Sequence, residues 1–182
     1  MKFLHLSDLH IGKNVNGFSM IPDQKYIFAQ IIELIQKEKP VAVVIAGDVY
    51  DRAIPSVDAV RLFDDFLTQI VAFDVAVLLI SGNHDSPERI SYASRLLVDK
   101  RVFFSGTFDG KPQKVTLIDE FGDVNFWLMP FIKPAMVRGA FTDIDESYDS
   151  IVSDAIDAAQ VDFTARNVLV SHQFYTKIGL SP

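Results

Sequence analysis

Two hydrophobic periodicities alternate along this chain. Val41 to Ala46 and Val75 to Ile80 are uninterrupted apolar runs rich in β-branched residues. Such runs predict strands buried on both faces. Phe3 to Leu6 predicts a first strand, and Asn167 to Val170 a last one, also buried. Between them the spacing becomes helical. Pro22 suits the first position of a helix, and its apolar stripe of Ile27, Phe28, Ile31, Ile32, Leu34 and Ile35 stops before Pro40. Ser56 can cap a second helix with the stripe Ala59, Val60, Phe63, Phe66, Leu67 and Ile70. Residues 88 to 98 predict a further short helix, and Ser147 opens one carrying Ile151, Val152, Ala155, Ile156 and Ala159. From Val102 to Met129, β-type runs alternate with turn signals at Ser105-Gly106, Asp109-Gly110 and Phe121-Gly122. That stretch predicts a hairpin-rich second sheet. The βαβα order predicts an α/β domain.

In open α/β sheets ligands bind beyond the carboxyl ends of the strands. Four predicted strands carry metal-type ligands there. Phe3–Leu6 is followed by Asp8 and His10, Val41–Ala46 by Asp48 and Asp51, and Val75–Ile80 by Asn83, His84 and Asp85. The last strand delivers His172. Each pattern has a plain alternative. Asp-x-His recurs by chance, Gly-Asp forms turns, and Asn-His-Asp can cap the next helix. The conjunction is what points to chemistry: three of the four histidines lie at strand ends, and only His5 sits inside a strand, where it reads as structural. Carboxylates, imidazoles and an amide can hold two divalent ions if one carboxylate bridges them. Asp48 is the natural bridge, since it follows the central and most apolar strand.

Composition narrows the chemistry. With no cysteine, thiolate metal sites and disulfides are excluded, leaving His, Asp, Glu and Asn as ligands. The net charge of −7 argues against a large basic face, though bound cations can supply positive charge locally. No apolar run approaches the roughly 18 residues of a membrane span. Met1 to His5 enters a strand pattern with no signal-peptide anatomy, so the chain reads as cytoplasmic.

Read together, "SDLH", "GDVYD", "GNHD" and "SH" resemble the successive signatures of the calcineurin-like metallophosphoesterase superfamily. The runs "MKFLHLSDLHIGK", "AGDVYDRAIPS" and "MPFIKP" are most similar to its bacterial nuclease subunits, which act in DNA repair and recombination beside an ATPase subunit. The resemblance implies a four-layer α-β-β-α sandwich with mixed sheets, residues 1–182 forming one catalytic domain. It implies two divalent ions, manganese before iron or zinc. Asp8 and His10 hold the first, Asn83 and His172 the second, and Asp48 bridges. His84 faces the scissile phosphate without being a ligand, Asp51 orients it, and Arg52 matches a phosphate-contacting arginine. Lys13, Arg89, Lys133 and Arg138 are further candidates for phosphate contact. The implied partners are DNA, the ATPase subunit and a second copy of the full-length chain. The family completes its site with a later Gly-His-x-His motif, whereas no histidine follows His172 here. The expectation is therefore a fragment of a longer protein, each metal lacking one ligand, without the capping and partner-binding regions. A phosphatase or small phosphodiesterase, or a non-catalytic fragment, are the competing readings.

Overall fold

The two uninterrupted apolar runs lie side by side in the middle of a parallel sheet. The computed structural model describes residues 1–137 and 147–175. In chain order the elements are β1 (Phe3–Leu6), the short pair β2 (Asn14–Val15) and β3 (Phe18–Ser19), α1 (Ile21–Glu38), β4 (Ala42–Ala46) and α2 (Val57–Val71). There follow β5 (Ala76–Ile80), α3 (Pro87–Ile90), α4 (Ser94–Leu97), β6 (Val102–Ser105), β7 (Gln113–Asp119) and β8 (Gly122–Met129). The remainder comprises α5 (Pro134–Val137), α6 (Tyr148–Ala158) and β9 (Arg166–Ser171). The first sheet runs β1-β4-β5-β6, all parallel, and the second β7-β8-β9. β8 is antiparallel to β7 and parallel to β9, so the second sheet is mixed.

Alternation along β4 and β5 assembles the layers. Val43, Ile45, Val77 and Leu79 face Phe28 and Ile35 of α1 and Phe66 and Ile70 of α2. The Phe28 and Phe66 rings stack at 4.2 Å between centroids. Ala42, Val44, Leu78 and Ile80 face the other way, onto Val115, Phe126, Leu128 and Val170 of the second sheet. Each such large side chain, fully buried, contributes about 1.5–3 kcal/mol. On the far side of the second sheet Met129 packs with Val137 of α5 and Ile151 and Ala155 of α6. The layers are thus α-β-β-α, as the sequence motifs implied. The helix ends also match their signals. Ser56 and Ser147 accept hydrogen bonds from Ala59 N and Ser150 N, and α1 stops at Lys39, left-handed at φ 47°, ahead of Pro40.

Three expectations change. Val102–Ser105 joins the first sheet beside β5 rather than opening the second, because the α3–α4 stretch supplies the crossover that parallel pairing requires. Residues 88–98 do not form one helix: Ala93 stands at φ 58° and divides α3 from α4. The interruption coincides with close packing, for Ser91 Oγ accepts from Thr107 N at 3.1 Å. Finally, β9 is not buried on both faces. Leu169 is 43% exposed while Val170 faces the core, so only alternate residues of β9 meet the first sheet.

Candidate metal centre

The carboxyl ends of β1, β4 and β5 share one rim of the first sheet, and β9 brings the second sheet to the same place. After β1 and β4 the two exit loops run on together. Asp8 N donates to Gly47 O (3.1 Å), His10 N to Asp48 O and Ile11 N to Val49 O (both 2.9 Å). To keep these bonds while turning side chains into the cleft, Asp8, His10 and Asp48 adopt φ of 55°, 42° and 51°. Left-handed backbone is uncommon outside glycine, and its clustering at one cleft marks strain held in place by the surrounding structure.

Two glycines make the close approach possible. A Cβ on Gly47, itself at φ 88°, would lie 2.5 Å from His172 Nδ1. A Cβ on Gly82 would overlap Asp48 Oδ1 and the Asp48 amide. His172 therefore rests against the β4 exit with its Nδ1 donating to Ala46 O at 2.7 Å. That bond fixes the tautomer and leaves the Nε2 lone pair aimed inward.

Asp48 is the centre of the arrangement and only 2% exposed. Its Oδ1 accepts from His84 N at 2.9 Å. Its Oδ2 faces His172 Nε2 at 3.5 Å and His10 Nε2 at 3.6 Å, with Asp8 Oδ1 3.8 Å from the latter. These separations exceed hydrogen-bond length. The donor atoms of His10, Asp48 and His84 lie within 4.8 Å of one another, and so do those of Asp8, Asp48 and His172. Asp48 belongs to both groups. An inward-facing imidazole lone pair beside a buried carboxylate oxygen is a set of acceptors with nothing to accept, which disfavours itself in a low-dielectric site. A divalent cation of borderline hardness satisfies such a set, so the residues present fit the ions that the sequence motifs imply.

The remaining predicted residues divide. Asn83 and His84 line the cleft of about 460 Å³ together with Asp8, His10, Asp48 and His172. Asp51 meets His84 through its backbone carbonyl, which accepts from His84 Nδ1 at 3.0 Å, while its carboxylate turns toward His10 Nδ1 at 3.6 Å. The expected Asp51–His84 contact is present in a different form. The resemblance leaves His84 outside the ligand set, yet its ring lies edge-on to that of His10 at 4.7 Å and within reach of one donor group. Arg52 does not enter the cleft. It is 75% exposed, pairs loosely with Asp51 at 3.8 Å, and lines a neighbouring groove. Lys133 sits 5.6 Å over the Phe131 ring, whose centroid is 6.5 Å from that of His172. Lys13 and Arg89 are exposed, and Arg138 lies outside the described residues.

One residue singled out in the sequence takes a different role, and one supporting residue escaped the sequence reading. Asp85 is not a helix cap: its buried carboxylate accepts from Val49 N, Tyr50 N and Gly82 N at 2.9–3.1 Å, locking the β4 and β5 exits together. Burial pushes its carboxyl upward against the pull of those three N–H groups. Gln24 reaches from α1 to the β1 exit, with Nε2 donating to Leu9 O (3.1 Å) and His10 O (2.8 Å) and Oε1 accepting from Gly12 N (3.0 Å). The Asp85 signal was available in the "GNHD" run, whereas nothing near Gln24 in sequence distinguishes it from a solvated helix residue.

The family model described as calcineurin-like phosphoesterase matches residues 1–173. The chain is 30% identical over 176 residues to the SbcD subunit of the nuclease SbcCD from Staphylococcus epidermidis, covering 94% of this chain and 46% of that protein. The chain thus spans about half the length of the curated relative it matches.

Proposed function

This chain belongs to the calcineurin-like phosphoesterase family, and we propose that its cleft hydrolyses DNA phosphodiester bonds as the nuclease subunit of an SbcCD-type complex. Support for the nuclease reading comes from the similarity to the staphylococcal SbcD protein. The single observation that carries the chemistry is the sharing of Asp48 between two groups of metal-type donors drawn from both sheets. The assignment divides the residues as the family resemblance implies rather than as these groups do, which pair His10 with His84 and Asp8 with His172: Asp8, His10 and Asp48 would hold one divalent ion, and Asp48, Asn83 and His172 a second, with manganese the first choice and iron or zinc the alternatives. When bound, such ions neutralise phosphoryl charge and make water a competent nucleophile at neutral pH.

The chain's own groups do the rest. Asp48, its Oδ1 fixed by His84 N, would be a ligand to the ions. His84 donates Nδ1–H to the Asp51 carbonyl, which orients the ring and leaves Nε2 free to pass a proton to the departing oxygen. The proposed partners are DNA, an SbcC-like ATPase subunit and a second copy of the full-length chain, in DNA repair and recombination. Double-strand exonuclease and single-strand endonuclease activity are the proposed reactions.

The test compares His84→Ala with Asp48→Ala in the full-length protein, using Mn²⁺ calorimetry and cleavage of a labelled duplex. Asp48→Ala is expected to lose both ions and activity. His84→Ala is expected to keep the ions and lose cleavage by a factor of about 10²–10⁴. Loss of metal in both variants would make His84 a ligand and end its assignment as the acid. Hydrolysis of small phosphoesters with DNA left intact would replace the nuclease reading by a phosphatase one.

A further inference from the structure

A concavity larger than the metal cleft lies elsewhere among the described residues. It is a groove of about 820 Å³ where β6 leaves the first sheet and crosses the edge of the second. Its charged lining is Arg95, Lys111 and Lys114 against a single carboxylate, Asp109. That is a local excess of positive charge in a chain whose net charge is −7. Arg166, Arg101 and Lys2 sit on Asp119, Asp74 and Glu38. By contrast, Arg95 and Lys111 make no ion pair among the described residues, and Lys114 has no carboxylate within 4 Å, feeling only the more distant charge of Asp162.

Three aromatic residues also line it: Phe103 and Phe104, half-buried on opposite faces of β6, and the buried Trp127. Trp127 is held in place by its Nε1–H on Asn167 Oδ1 at 2.9 Å, and Lys114 Nζ stands 5.4 Å over its ring. One wall is closely packed along the backbone: a Cβ on Gly106 would meet Ser91 Oγ at 2.6 Å and overlap the Pro87 carbonyl. A run of cations beside aromatic side chains, one of them over an indole ring, is the composition of grooves that track a single-stranded phosphodiester backbone.

Position connects the groove to the chemistry. Ser81, two residues before Asn83, donates its N–H to Ser105 O at 3.2 Å and its hydroxyl to Gly106 O at 2.7 Å. Ser105 and Gly106 line the groove. The groove therefore starts one strand, about 4.8 Å, beyond the strand whose exit loop carries His84. We propose that it is a second subsite, holding a single-stranded stretch of nucleic acid beyond the scissile phosphate. The inference rests on the nuclease reading above.

The test uses the full-length protein in EDTA, so that no cleavage occurs and the metal cleft contributes no ion-mediated contact. Binding of a short labelled single-stranded oligonucleotide is followed by anisotropy from about 50 to 200 mM salt. The triple variant Arg95→Gln, Lys111→Gln, Lys114→Gln is compared with the charge-keeping variant Arg95→Lys, Lys111→Arg, Lys114→Arg. Each phosphate neutralised by a side chain steepens the dependence of log K on log salt by about 0.7, so the glutamine variant is expected to be shallower by roughly 2. The charge-keeping variant should retain the slope, and both should hydrolyse bis-p-nitrophenyl phosphate at the wild-type rate once Mn²⁺ is restored. An unchanged slope in the glutamine variant overturns the subsite, as does equal loss of binding in both variants. A wild-type protein that hydrolyses the small diester but binds no oligonucleotide overturns the nuclease reading itself, and the subsite with it.

Discussion

Replacing Gln24 by alanine tests how the metal cleft is held. Its amide makes three hydrogen bonds to the β1 exit, spanning Leu9, His10 and Gly12. His10 stands at φ 42°, a conformation it would not hold alone. The loop is also tied by Lys13 N to His10 O and by Met20 N to Lys13 O, so Gln24 joins α1 to a loop already half-fixed. Each neutral bond contributes about 1 kcal/mol net, and the site is partly open to water, which can replace some of them. The expected cost of Gln24→Ala is therefore about 2–3 kcal/mol, read as a lower urea midpoint at unchanged slope. Freed of its clamp, His10 moves relative to Asp48, and outer-shell losses of this kind weaken metal binding about 10- to 100-fold. Gln24→Glu is the sharper control. It keeps the acceptor for Gly12 N but sets a carboxylate oxygen against the Leu9 and His10 carbonyls, so it should do at least as much damage. Stability within about 0.5 kcal/mol of wild type, with Mn²⁺ affinity unchanged by calorimetry, would refute the reasoning. Lost stability with intact affinity would show that the clamp holds the loop but not the ligand.

Gly47→Ala places a methyl 2.5 Å from His172 Nδ1 on a left-handed backbone, and should cost about 2–3 kcal/mol in urea unfolding together with a loss of metal affinity. Asp85→Ala strips the partner from three N–H groups of the β4 and β5 exits and is expected to cost about 3–5 kcal/mol, measured in the same way. Asp119 is held well below the usual carboxylate range, first by its hydrogen bonds to Arg166. A depressed folded-state pKa gives stability that is present above the unfolded value near 4 and is lost as pH falls further. The urea midpoint should therefore drop on acidification below about pH 4, and Asp119→Asn should flatten that drop. A variant with the wild-type acid profile would assign the drop to other groups.

The parts of the fold that were legible in the sequence are those fixed by local pattern. β4 and β5 must be buried on both faces, because no alternation in Val41–Ala46 or Val75–Ile80 offers a polar face. β6 was misplaced since four residues, VFFS, suit either sheet, and the choice is made by a crossover whose helices are only four residues each. The candidate ligands were legible because strand ends in an α/β sheet share a rim, which turns distant dipeptides into neighbours. What pattern could not reveal was contact by backbone. Asp51 reaches His84 with its carbonyl, and side-chain identity says nothing about that. Gln24 lies 14 residues from His10 on a different element, and only the docking of α1 brings them together.

The position of His172 adds a consequence for stability. Asp8, His10, Asp48, Asn83 and His84 all leave the first sheet, whereas His172 leaves the second. It meets the first sheet through the hydrogen bond to Ala46 O and the glycine gap at Gly47. The apolar interface beneath them, Val44 and Ile80 against Phe126 and Leu128, orients the two sheets without regard to charge. Bringing His172 Nε2 to 3.5 Å from a buried carboxylate is a separate demand, which apolar packing does not favour and a shared cation does. On the proposed assignment, ion binding between Asp48 and His172 is thereby linked to sheet docking. Saturation at a hundred times the dissociation constant should add about 2.7 kcal/mol to the unfolding free energy. His172→Ala should remove that increment and should lower the metal-free stability by only about 1 kcal/mol, for the lost hydrogen bond to Ala46 O. An ion-dependent increment that survives in His172→Ala would place the cation on the first sheet alone.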